Sequence, residues 1–263
     1  MAISLGLPPG ARIGPLSITL DPVIPSTLYV VASGGIRKST DGGESFNVIN
    51  AGYFTSSLVI DPTTPTTIYA RQFSSLTKST DGGVSWTAAG LKPDISTFSI
   101  DPTNSNILYA ATAGPNQAIF KSTDGGQNWN PVDTSVPLTA SLVFSPMNSS
   151  TIYAATYNGG VFKSTNAGTN WSAANTGLHI FDIRVLIGDP LDPATIYTGG
   201  DGGLFKSADR GGSSEHRVPI PHSKSIPPEC LRRASGPVQT ALSKVTRCMR
   251  WVFAGGDLPR HFR

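Results

Sequence analysis

Ser39-Thr-Asp41-Gly-Gly43-Glu-Ser-Phe46, Ser79-Thr-Asp81-Gly-Gly83-Val-Ser-Trp86, Ser122-Thr-Asp124-Gly-Gly126-Gln-Asn-Trp129 and Ser164-Thr-Asn166-Ala-Gly168-Thr-Asn-Trp171 are four copies of one pattern. A fifth, Ser207-Ala-Asp209-Arg-Gly211, breaks off before its aromatic residue. The starts lie 40, 43, 42 and 43 residues apart, so the chain is a repeat array before it is anything else. Ahead of each copy stands an apolar stretch ending at Asp21-Pro22, Asp61-Pro62, Asp101-Pro102, Ser145-Pro146 or Asp189-Pro190. A second stretch follows it, carrying Tyr29, Tyr69, Tyr109, Tyr153 or Tyr197.

Period-two alternation between Pro, Gly, Asn and Ser clusters predicts four short strands per unit. In the second unit they are expected at 57–60, 67–70, 76–79 and 85–88. A lone four-stranded sheet leaves both faces wet, so such units stack face to face around an axis. The fold class expected is therefore all-β, a propeller of about five four-stranded antiparallel blades. The repeats run over about 13–52, 53–91, 92–134, 135–178 and 179–209. Residues 2–7 alternate and end in Gly6-Leu7, matching Gly90-Leu91 and Gly177-Leu178, and are a candidate strand to complete the fifth sheet and close the ring. A piece of a larger ring is the competing reading.

Within the box, Asp or Asn can accept hydrogen bonds from the N–H groups of its own turn. Gly at the fifth position tolerates a positive φ. The aromatic three residues later can return into the gap between blades. Ser39, Asp41, Gly43, Phe46, Ser79, Asp81, Gly83, Trp86, Ser122, Asp124, Gly126, Trp129, Ser164, Asn166, Gly168 and Trp171 are thus expected to be structural, and the repeated Tyr to lie in the inter-blade core.

The repeat and its Asp-Pro and Ile-Tyr-Ala companions resemble the Asp-box, or BNR, repeat of the sialidase-like superfamily. That repeat occurs in sialidases, xyloglucan-cleaving propeller hydrolases, sortilin-type receptors, photosystem assembly factors and bacterial BNR-repeat proteins of unassigned function. The resemblance covers residues 1–209 and implies a propeller, usually of six blades or more; it leaves the chemistry open, because one fold hosts many. Relatives are often exported, which suggests an extracellular or envelope location, although no signal peptide is visible. A sialidase of this fold has three arginines for the substrate carboxylate and a tyrosine nucleophile assisted by a glutamate. Arg12, Arg71, Arg184 and Arg37 are candidate arginines, but the sole Glu before residue 210 is Glu44, inside a box. Sialidase activity is not expected.

Composition bounds the rest. Charged residues are 14% of the chain, Gly numbers 28 and Pro 21, and no apolar run approaches membrane-spanning length. The net +3 is split: residues 1–209 carry −4 and residues 210–263 carry +7. The second part holds Cys230, Cys248 and three of the four histidines, and reads as a foreign or frameshifted tail. Val238, Ala241, Leu242, Val245, Met249 and Val252 fall there at helical spacing, a candidate amphipathic helix within an otherwise poorly ordered segment. Nucleic-acid binding is not expected from the acidic repeat region. His179 has no cysteine companion there, so neither a metal nor a cofactor is expected. Gly199-Gly-Asp201-Gly-Gly203 lacks the Lys-Ser/Thr of a phosphate loop.

In an antiparallel blade the first–second and third–fourth turns share one end, and the second–third turns and inter-blade links share the other, around the channel mouth. That leaves Asp94, Asp133, Asp182 and Asp201 as mouth-side acids. Asp94, Asp182 and Asp201 are candidate catalytic carboxylates for an inverting glycosidase, which needs two acids about 6.5–9.5 Å apart. Tyr53, Arg71, Phe73, Tyr157 and His179 are candidate ligand contacts. The function expected is a non-enzymatic, monomeric scaffold binding a protein, peptide or glycan at the mouth, with a glycoside hydrolase or its inactive remnant as the alternative.

Overall fold

The computed structural model describes residues 17–32, 35–50, 55–91, 94–115, 117–146, 148–179, 181–189, 192–200, 203–213 and 215–218. Every regular element among them is a β-strand, and the strands form five four-stranded antiparallel blades of a β-propeller. Blade 1 is β1 (Ser17–Leu20), β2 (Leu28–Ala32), β3 (Gly35–Ser39) and β4 (Asn47–Asn50). Blade 2 is β5 (Thr55–Ile60), β6 (Ile68–Gln72), β7 (Ser75–Ser79) and β8 (Thr87–Ala88). Blade 3 is β9 (Ile95–Ile100), β10 (Leu108–Thr112), β11 (Ile119–Ser122) and β12 (Asn130–Asp133). Blade 4 is β13 (Thr139–Ser145), β14 (Asn148–Thr156), β15 (Gly160–Ser164) and β16 (Ser172–Ala173). Blade 5 is β17 (Ile183–Gly188), β18 (Ile196–Gly200), β19 (Gly203–Ser207) and β20 (Glu215–Val218).

Alternation sends successive side chains of a strand to opposite faces, so each blade presents one face to the blade before it and one to the blade after. Leu58, Ile60, Ile68 and Ala70 of blade 2 meet Tyr29, Val31 and Ile36 of blade 1. Ile95, Phe98 and Leu108 meet Tyr69 and Leu76; Leu142, Phe144 and Ile152 meet Tyr109 and Ile119; Ile183, Leu186 and Ile196 meet Tyr153 and Val161. The core is therefore four apolar layers between neighbouring sheets. On the opposite face of blade 1, Ile18 and Leu20 hold the positions of Leu58 and Ile60 yet are 61% and 42% exposed, against 4% and 6%.

A polar latch accompanies each layer. Tyr69, Tyr109 and Tyr153 stand opposite Lys78, Lys121 and Lys163 across the second and third strands. Their hydroxyls donate to the box carbonyls of the next blade: Tyr69 to Gly125 at 2.9 Å, Tyr109 to Ala167 at 2.5 Å, Tyr153 to Arg210 at 3.0 Å. Lys78 and Lys163 donate Nζ to those same oxygens, at 3.0 and 2.8 Å, while lying over the tyrosine rings. Burial, with the charges of Asp61 and Asp124 behind it, pushes Tyr69 up to about 12.

Two expectations are corrected. The sequence reading ends the repeat at residue 209, whereas Glu215–Val218 pairs with β19 as the fourth strand of blade 5, Leu204 opposite Val218 and Phe205 opposite Arg217. The place beside β19 proposed for residues 2–7 is thus occupied. Strand pairing uses backbone groups alone, so losing the box aromatic does not prevent it. Residues 2–7 themselves, and the 238–252 helical pattern, lie outside the described residues.

Candidate functional site

At the box end of each blade the carboxylates are spent on their own turns. Asp81 accepts from Ser79 Oγ at 2.7 Å, from the Val84 and Ser85 N–H groups at 2.9 Å each, and from Ser85 Oγ at 2.5 Å. Asp41 accepts from Ser39 Oγ, Ser45 N and Ser45 Oγ; Asp124 from Ser122 Oγ, Gln127 N, Asn128 N and Asn128 Nδ2. Asn166 retains two of these bonds, from Ser164 Oγ at 3.0 Å and Asn170 N at 2.9 Å. Asp209 is fully engaged, with Ser207 Oγ at 2.8 Å, Ser213 N at 2.8 Å and Ser213 Oγ at 2.6 Å. The fifth box thus keeps its turn without its aromatic. Such donors favour the charged form: the Ser85 hydroxyl holds Asp81 well below the usual carboxylate range, and the Asn128 N–H and side chain bring Asp124 to about 2.

Gly43, Gly83, Gly126 and Gly168 have φ between 80° and 97°, and each donates its N–H to the box serine. Trp86, Trp129 and Trp171 pack half-buried on the inter-blade clusters, and Phe46 is half-buried too. The Asp-Pro carboxylates cap the other turns at this end: Asp61 Oδ1 takes Thr63 N at 2.8 Å and Thr64 N at 3.0 Å, and Ser105 Oγ of the next blade joins it.

The other end is the mouth. Asp94, exposed at the link into blade 3, offers its carbonyl to Ala113 N at 2.7 Å. Asp133 caps its own turn, accepting from Ser135 N at 2.7 Å and Val136 N at 3.0 Å. Asp182, on the link into blade 5, forms an ion pair with Arg184 at 3.3 Å. Asp94 and Asp182 thus enter different blades, with a whole blade between them; Asp201 and Tyr53 lie outside the described residues. Among the described residues no three of His, Cys, Asp and Glu gather to hold a metal ion.

Arg71 is a bracket: its Nε donates to Ser56 Oγ at 2.6 Å and its Nη1 to the Ile95 carbonyl at 2.7 Å, tying blade 2 to the start of blade 3. His179 is exposed. Phe73 and Tyr157 stand at the second–third turns of blades 2 and 4, 65% and 38% exposed. Sequence reasoning overlooked Phe181, 52% exposed on the link into blade 5, whose carbonyl accepts the Gly160 N–H beyond the Tyr157 turn. Its signal was an aromatic residue in the link just ahead of Asp182. The mouth thus carries exposed aromatic rings, cationic Arg184 and links stitched by backbone hydrogen bonds.

Fold and box together define a class: a propeller whose blades each carry a repeated turn of serine with aspartate or asparagine. Comparison with known proteins finds a likeness to BNR-type β-propellers over part of the chain. Residues 68–184 match the family model of the photosynthesis system II assembly factor YCF48. Among solved structures, a GH74 enzyme of Niastella koreensis is 24% identical, with TM-score 0.66 over 77% of this chain and 38% of that one. The GH74 xyloglucanase of Xanthomonas campestris is 16% identical, with TM-score 0.64 over 74% of this chain and 36% of the other. YCF48 bound to D1 peptide is also 16% identical, with TM-score 0.59 over 81% and 70%. The chain spans less than two fifths of the GH74 chains it resembles. No curated protein matches it.

Proposed function

We propose that the chain is a non-enzymatic propeller that binds an extended peptide across the mouth face. The observation that carries this is Phe73. Its φ is 53°, in the left-handed region that costs a bulky residue roughly 1–2 kcal/mol, and the residue is 65% exposed. The other non-glycine residues with positive φ, Ala167 and Arg210, hold the fourth box position, where Gly42, Gly82 and Gly125 are also left-handed, so the box turn accounts for them. A strained aromatic that keeps much of its surface exposed at a turn is suited to contact a ligand. Tyr157, Phe181 and Arg184 add rings and a cation to the same end. A solved YCF48 structure with a D1 peptide supports the reading, because that protein shares the architecture and is bound there to a peptide.

The test is a fluorescent array of random 12-residue peptides, followed by titration of the strongest binder. Phe73→Ala and Tyr157→Ala are expected to weaken binding at least tenfold without changing Tm by more than about 2 °C. Release of reducing sugar from xyloglucan, abolished by Asp182→Asn, would instead support the hydrolase reading.

A further inference from the structure

Position 214 is serine where the other boxes carry Phe46, Trp86, Trp129 and Trp171. The three indoles share one seat. Trp129 Nε1 donates to the Gly126 and Ala89 carbonyls, both at 3.0 Å. Trp86 and Trp171 donate to the corresponding Gly83 and Gly168 carbonyls at 3.0 and 3.1 Å. The apolar wall of each seat comes from the layer between that blade and the one before.

The equivalent place between blades 4 and 5 is a small cleft, open to solvent, bounded by Val161, Ala174, Leu178, Ile196, Phe205 and Gly211. The repeat aligns these walls with those of the occupied seats: Ala174 corresponds to Ala89, and Gly211 to Gly126. A Cβ built on Gly126 would lie 3.4 Å from Tyr69, 3.6 Å from Ala89 and 3.8 Å from the Trp129 ring. On Gly211 it would lie 3.4 Å from Tyr153 and 3.7 Å from Ala174, but the third neighbour is Ile196 Cδ1 at 3.2 Å. Two walls are in register, and an isoleucine methyl leans in where the sister seat holds an indole.

We propose that this cleft receives a tryptophan side chain carried by a partner peptide. The sister seats specify the occupant: a flat bicyclic ring for the apolar walls, and an N–H for the carbonyls that correspond to Gly126 and Ala89. An apolar slot prepared by the fold loses little on filling, and a large ring buries much apolar area. The proposal rests on the repeat and not on the mouth face, so either can fail alone.

The probe is N-acetyltryptophanamide, titrated into the full chain and followed by saturation-transfer NMR. Binding at one site with a millimolar Kd is expected, at least tenfold weaker in Ser214→Trp, where the box supplies its own indole, and in Ala174→Leu, which narrows the slot. N-acetylphenylalaninamide, lacking the N–H, is expected to bind at least threefold less tightly. Equal binding by native chain and both variants overturns the proposal, as does no binding to the native chain or to Trp251→Phe. Binding that emerges only in Trp251→Phe overturns the partner and assigns the seat to the chain's own fourth indole.

Discussion

The box aspartates behave alike because each sits among donors that favour its charge. Folded, Asp41, Asp81, Asp124 and Asp209 titrate below their unfolded value of about 3.9. The sign follows: as pH falls through that value the unfolded chain takes up protons that the folded chain refuses, so stability is full above it and drains away towards the folded pKa. Melting followed by circular dichroism is expected to show Tm falling between about pH 4 and pH 2, with Asp124→Asn making the fall shallower. The natural Asn166 shows that an amide can hold this turn. A second residue-level prediction concerns the latch: Tyr109→Phe removes one donor from the Ala167 carbonyl and should cost about 1 kcal/mol in urea unfolding. Serine, aspartate, glycine and tryptophan were legible in the sequence because they recur at a fixed period. The tyrosine hydroxyl's target was not, since a backbone carbonyl nearly 60 residues away leaves no mark of its own. The bracket made by Arg71 was hidden for the same reason: its partners, Ser56 and a carbonyl at Ile95, are chosen by the fold.

At the scale of strands, boundaries were legible to within about three residues where alternation and turn chemistry agreed, as in blade 2. The fourth strand of blade 5 was missed because the expected signal was an aromatic side chain, while the strand is held by hydrogen bonds to β19 and by the Ser213 contacts with Asp209. A chain ending at 209 loses both, leaves β19 as a bare edge, and should melt several degrees below a chain ending at 218 and aggregate sooner. Equal melting temperatures, measured by differential scanning calorimetry at matched concentration, would remove β20 from the sheet. Phe73 and Tyr157 were legible as mouth-side aromatics because turn position follows from strand order, whereas Phe181, on the link into blade 5, was not singled out.

For the whole molecule, four separate layers mean that strain at one inter-blade contact is felt by its own two blades and little beyond. Trp86→Ala and Trp171→Ala disturb different layers, each at a cost of about 3 kcal/mol. Their effects should add to within about 0.5 kcal/mol. Trp129→Ala combined with Leu108→Ala falls in a single layer and should depart from additivity by more than that. A double-mutant cycle in urea checks both pairs.

The latches also give the array a direction. Tyr69, Tyr109, Tyr153, Lys78 and Lys163 each reach forward to a carbonyl on the following blade. A duplication that copies one sheet from its first strand to its fourth therefore carries a forward hook and a docking eye for its predecessor at once, wherever along the row it is inserted. Growth by whole units needs no fresh joinery, whereas a break inside a unit separates hook from eye.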